Sequence, residues 1–211
     1  PIQEHKEFDF HILLIANRLN TNPRYVELSK KAFGKIPDPE VITKSIASFE
    51  RKIVANDSPY DRFQRGDKKA LSKSAKRGKK LFFNELYCGK CHTGSDLTND
   101  KVSNNGLYKN YADKGRYRLT EKQEDIAVFK VPTLRNITMT APYMHDGSLK
   151  TLQEVLAHYQ TGGANHPNKS KIIQPFTLTK KEEKDLMSFF HSLTDSTVLY
   201  NPELSSPFKR L

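Results

Sequence analysis

Two cysteines, three methionines and no tryptophan occur in 211 residues. Each scarcity excludes something. A structural zinc site needs four ligands, and there is no second cysteine pair to complete one. A lone disulfide between cysteines separated by two residues would close too small a loop to stabilise much. No apolar run approaches membrane-span length, and residues 1–20 are charged and amphipathic rather than patterned as a signal peptide. Hydrophobic residues make up 36% of the chain and the mean hydropathy is −0.70. The length suits one large domain or two small ones, with a modest core and a polar surface. The net charge of +11 raises the question of nucleic acid or an acidic partner. The lysines are spread along the chain, however, and no basic stretch alternates with stacking aromatics. Composition therefore argues against nucleic acid and for a solvated basic surface, with an acidic redox partner as the narrower alternative.

The two cysteines stand together in Cys88-Gly89-Lys90-Cys91-His92. This C-x-x-C-H string is the pattern of c-type haem attachment. Two thiols one helical turn apart can add across the two vinyl groups of one porphyrin, and the adjoining imidazole reaches the iron. A thioredoxin-like pair would want a βαβ pattern around it, which is absent. One covalent haem c is expected, its porphyrin supplementing a thin core. Thioether-linked haem is normally installed after export, so the mature protein is expected in the periplasm, its targeting segment removed. Pro1 is not an initiator methionine.

The periodicity is helical throughout. Phe8, Ile12, Leu13, Ile15, Ala16 and Leu19 share one face over 5–19, and a second amphipathic helix follows Pro23. Val41, Ile42, Ile46, Phe49, Ile53 and Val54 repeat at helical spacing, and 60–66 reads as a connector. A division between 1–66 and 67–211 is expected. Ala75, Gly78, Leu81 and Phe82 lie on a helix leading to Cys88, with lysines and Arg77 on a basic, solvated face. After His92 the chain turns irregular and polar, and a haem edge would scaffold it. Residues 127–132 are a short β-like run ended by proline. Thr151 caps a helix stopped by Gly162-Gly163, and Thr179 with Glu182 makes a capping box for a last helix bearing Leu186, Phe189, Phe190 and Leu193. A tail from Asp195 wraps the surface. The fold class expected is all-α, a cytochrome c-like domain with long loops.

A six-coordinate iron needs a second axial ligand, and Met144, His145, His158, Tyr159, His166, Met187 and His191 are downstream candidates. Met187 reads as core, and His166 and His191 as solvated. Spacing alone leaves Met144, His145 and Tyr159 open.

Longer motifs carry a resemblance. Phe129-Lys130-Val131-Pro132-Thr133-Leu134-Arg135-Asn136, Thr140-Ala141-Pro142-Tyr143-Met144-His145-Asp146-Gly147, Ile46-Ala47-Ser48-Phe49-Glu50-Arg51 and Asn56-Asp57-Ser58-Pro59-Tyr60-Asp61-Arg62-Phe63 closely resemble the bacterial di-haem cytochrome c peroxidase family, which includes the protein-modifying MauG branch. The resemblance implies two cytochrome-c-like domains. Cys88, Cys91 and His92 match the carboxy-terminal, electron-storing haem. Residues 1–66 then end the peroxidatic domain, and Glu7 takes the place of the glutamate that assists O–O cleavage as acid–base. The first haem motif is missing from this chain, so a segment bearing it is an expected partner. Tyr159 holds the place of the sixth ligand, as in the MauG branch, with Met144 the alternative. Gly162-Gly163 also resembles that branch. His145 resembles the haem-propionate contact, and the backbone carbonyls of Thr140 and Pro142 resemble calcium ligands. The other partners implied are hydrogen peroxide, an electron-donor protein or protein substrate, and a second copy in a homodimer; no membrane is expected. The rival reading is a mono-haem electron carrier.

Overall fold

The computed structural model describes residues 2–3 and 8–206. The chain forms two compact units, Pro1–Val54 and Ala55–Leu211. Residues 55–66 pack into the second unit through Tyr60.

The first unit is three helices: α1 (Ile12–Asn20), α2 (Pro23–Phe33) and α3 (Pro39–Lys52). Proline at the first position and a polar cap, Asn22 or Asp38, start α2 and α3. Helix α1 is shorter than its periodicity suggested. Asp9 has φ 45° and His11 is the N-cap, accepting from the Leu13 N–H, so the helix cannot extend back through Phe8. Among the described residues, Ala16, Val41 and Ile42 are its buried hydrophobics.

The second unit opens with α4 (Pro59–Gln64). The sequence reading took this stretch for a connector, but Ser58 and Asp61 form a reciprocal capping box that starts a helix. Helix α5 (Lys73–Lys80) runs directly into a π-helical turn, Leu81–Glu85, and then into a 3₁₀ turn at Cys88–Lys90. Strand β1 (Val102–Ser103) pairs antiparallel with β2 (Phe129–Lys130), on either side of the short α6 (Tyr117–Thr120). Helices α7 (Leu152–Gln160), α8 (Lys180–His191) and α9 (Ser196–Leu199) complete the chain. The fold is mostly helical with this one small sheet. Thr151 caps α7 and the Thr179–Glu182 capping box starts α8 as expected, and Glu154 adds a second capping box at Thr151. The tail differs in part: Asp195 is buried, caps α9 and accepts from the Asp57 N–H at 2.9 Å.

The core of this unit is aromatic. Phe82, Phe189, Phe190 and Tyr60 meet edge to face or tilted, with ring centroids 5.4–6.2 Å apart. Helices α5 and α8 cross in backbone contact, since a Cβ on Gly78 would lie 2.0 Å from the Asp185 carbonyl oxygen. At the same crossing the Arg77 guanidinium grips the Asp185 carboxylate with Nε and Nη2, both at 2.6 Å. The residues leading to the cysteines are therefore anchored to the last long helix. Among the described residues, no helix is long and apolar enough to cross a membrane.

Candidate haem pocket

The π-helical turn hands the chain to the cysteines. Tyr87 takes a left-handed conformation (φ 56°), and the N–H groups of Cys91 and His92 then donate to the Cys88 carbonyl at 3.2 and 3.0 Å. Cys88, Cys91 and His92 thereby share one tight turn. A Cβ at Gly89 would lie 2.4 Å from Phe83 Cδ1, so a side chain there would push the Phe83 ring aside. Both thiols are free and half-buried. Burial pushes the Cys88 thiol up to about 12 and raises Cys91 as well. A redox C-x-x-C pair works through a lowered thiol pKa, and these thiols have the opposite bias.

His92 Nδ1 lies 3.1 Å from the Leu97 carbonyl oxygen. A carbonyl only accepts, so Nδ1 carries the proton and Nε2 keeps its lone pair for a metal. Burial pushes the His92 pKa down, against the upward pull of the Leu97 and Pro132 carbonyls, which keeps the ring neutral and able to ligate. Leu97 is fully buried, and the loop carrying it is strapped from both sides. Arg135 donates to the Ser95 carbonyl and Thr133 to that of Asp96, while Thr98 donates to the Val131 carbonyl at 2.7 Å. Arg135 is held in turn by Asp61, Nη1 to Oδ2 and Nη2 to Oδ1 both at 2.8 Å, with each side chain 10% exposed. Burial pushes the Asp61 carboxyl up, but Arg135 and Ser58 outweigh it and hold the carboxyl below its usual range.

Asn105 lies beside the two leading axial candidates. Its Nδ2 donates to Met144 Sδ at 3.2 Å, and the Tyr159 phenol lies close to the same side chain. Its carbonyl oxygen lies 3.1 Å from His158 Nε2, which turns His158 away from the role of ligand and into a positioning contact. Desolvation raises the pKa of the Tyr159 phenol, which is close enough to Cys88 and Cys91 to feel both thiols. The diglycine explains the approach. Gly162 and Gly163 have φ 77° and 71°, and a Cβ at Gly163 would lie 2.9 Å from the Asn105 carbonyl oxygen. Side chains there would push the end of α7, and Tyr159 with it, off Asn105.

In sequence Asn105 is one residue of an irregular polar stretch with no periodicity to single it out. That stretch is held by its own hydrogen bonds. Asn104 is buried, its Nδ2 donating to the Ala127 carbonyl and its Oδ1 accepting from the Gly106 N–H, both at 2.7 Å.

The other candidates are spread out. His145 stacks on Phe129 with centroids 4.0 Å apart, beside Tyr108 and Tyr111. His166 packs edge-on against Tyr111 and accepts from the Asn168 N–H, so it is half-buried rather than solvated. His191 is exposed, and Met187 packs against the core. Thr140 and Pro142 flank an exposed turn. Glu7 lies outside the described residues. Two thiols, an imidazole with a free Nε2, an aromatic wall in Phe82 (6.3 Å from the His92 ring) and nearby oxygen and sulfur donors together fit a covalent haem.

A family model described as cytochrome c matches residues 75–194, and one described as di-haem cytochrome c peroxidase matches residues 1–69. The chain belongs to the di-haem cytochrome c peroxidase/MauG family. The methylamine utilization protein MauG of Methylorubrum extorquens is 34% identical over 92% of this chain and 56% of its own length. Cytochrome c551 peroxidase of Pseudomonas aeruginosa is 32% identical over 92% and 56%. A crystal structure of a MauG-like protein associated with microbial copper homeostasis superimposes with TM-score 0.84 at 29% identity, covering 94% of this chain and 66% of that one. The diheme peroxidase BthA of Burkholderia thailandensis shares the fold, with TM-score 0.73 at 19% identity over 94% and 63%. The chain thus spans a little over half the length of the curated family members it matches, and haem c is the cofactor the family implies.

Proposed function

We propose that this chain is the carboxy-terminal part of a periplasmic di-haem peroxidase-like oxidoreductase of the MauG type. Bound at Cys88 and Cys91, haem c would supply a redox centre that stores or relays oxidising equivalents for peroxide chemistry at a second haem. In this reading Cys88 and Cys91 hold the porphyrin, and His92 presents Nε2 to its iron. Tyr159 is the sixth ligand, an anionic oxygen that favours oxidised iron. His145 meets a propionate, and the carbonyls of Thr140 and Pro142 hold calcium. Residues 1–66 complete the peroxidatic domain, where Glu7 moves protons to and from peroxide. The partners are peroxide, an electron-donor protein or a protein substrate, the segment bearing the second haem, and a second copy of the enzyme.

One observation carries the assignment. The Tyr159 side chain is half-buried, and its phenol lies beside Asn105 and near both cysteines. Tyr159→Phe should abolish the phenolate signature of the ferric haem in optical and EPR spectra, and an unchanged spectrum would sink the ligand assignment. Met144, whose sulfur faces the same Asn105 at 3.2 Å, is the alternative sixth ligand and would favour ordinary peroxide reduction fed by an electron donor. In that case Met144→Leu, not Tyr159→Phe, should change the spectrum. The second reading is a mono-haem electron carrier. Counting haems by denaturing mass spectrometry separates the two functions.

A further inference from the structure

The sequence presents α5 as a basic helix with a solvated face. The structure divides its charges. Arg77 is committed to Asp185, and Lys80 pairs with Glu85 at 3.1 Å. Lys76 and Lys79 are different. Both are half-buried, and among the described residues neither pairs with a carboxylate. Lys76 Nζ donates to the Lys68 carbonyl and lies 5.5 Å from the centroid of Phe63. Lys79 Nζ sits between two rings, 5.6 Å from Phe63 and 5.7 Å from Phe83. The rings attract the ammonium groups, but an aromatic face does not neutralise a charge.

These side chains line a groove of about 310 Å³, with Lys80 and Asn84 at its margin and Phe63 and Phe83 as its floor. The floor adjoins the attachment turn, because Phe83 fills the space against Gly89. The π-helical turn contributes by carrying Phe83 within it. An apolar floor under two uncompensated cations is complementary to carboxylates flanking an apolar side chain.

We propose that this groove is a docking surface for an acidic protein segment that seats one aromatic or aliphatic side chain between Lys76 and Lys79. The surface depends on neither the identity of the sixth ligand nor a second haem, so it stands or falls apart from the peroxidase reading. A partner seated there would lie against the turn that carries the haem, on the opposite side of Phe83 from Gly89.

Fluorescence anisotropy on the purified haem-loaded protein tests this with three labelled probes. One is a peptide of glutamates around a single phenylalanine, one its lysine counterpart, and one a single-stranded thymidine oligonucleotide. The glutamate peptide should bind at low salt and weaken steeply as salt screens the charges. Lys76→Glu with Lys79→Glu should weaken it about tenfold or more, while Lys73→Gln, on the same helix but outside the groove, should weaken it far less than Lys76→Gln with Lys79→Gln. Lys76→Gln with Lys79→Gln should weaken it in the same direction to a smaller extent, should the charge reversal disturb folding. No binding at low salt, equal binding of the lysine peptide, tighter binding of the oligonucleotide, or binding indifferent to both double substitutions would each overturn the proposal.

Discussion

The two units follow the same amphipathic rule with opposite results. In the first, α1 buries only Ala16 of its apolar residues and leaves Leu13 53% and Leu14 55% exposed. Helix α3 likewise leaves Ile46 and Phe49 nearly half exposed. In the second, the corresponding positions of α8 disappear, with Phe189 fully buried and Leu186 and Phe190 nearly so. Periodicity thus predicts that a segment is helical and which face is apolar. It does not say whether another element covers that face, because burial depends on what packs against it.

The largest expected effect concerns the attachment turn. Cys88→Ala with Cys91→Ala should leave no covalent haem, measured as haem per polypeptide, and should largely unfold the second unit, measured by circular dichroism. A folded, cooperative apoprotein would show that the aromatic core suffices without a porphyrin. Next comes the contrast itself. Phe189→Ala should cost about 3–5 kcal/mol in denaturant unfolding, as for other fully buried aromatics, whereas Leu13→Ala should cost roughly 0.5 kcal/mol or less. Equal losses would mean that the α1 face is covered in solution.

The Asp61–Arg135 pair supplies a comparable test inside the second unit. Asp61→Asn removes one partner of a buried pair and should cost about 3 kcal/mol. It should also loosen the loop carrying Leu97, seen as a changed His92–iron spectrum. Because the Asp61 carboxyl is held below its unfolded value, the unfolded chain binds more protons in that range. Its contribution is therefore present above about pH 4 and is lost as pH falls through the folded pKa. The substitution should flatten the acid limb of the stability profile. The smallest effect is at a helix end: Thr179→Ala should cost about 1 kcal/mol through loss of the α8 cap.

Much of this was legible locally. The spacing of Cys88, Cys91 and His92 specifies attachment chemistry without a fold, since one turn brings them together. The caps at Thr151 and Thr179 were legible because capping involves residues three apart. The capping box at Ser58 is equally local and was overlooked among turn-forming residues, where proline at the first helical position had read as a break. Asp9 limited α1 through one backbone angle, which side-chain periodicity does not report.

The sequence by itself determined the attachment turn, the helical composition and the short list of axial candidates, all consequences of residue type and near spacing. Tertiary structure decided which candidates come together. Asn105 gathers Met144, His158 and Tyr159 from positions dozens of residues away, and Asp61 reaches Arg135 across 74 residues to brace the loop that orients His92. It also separated the committed charges of α5 from the two left over an apolar groove. Such choices depend on distance in space and on the desolvation that follows, and neither is encoded in the spacing of residues along a chain.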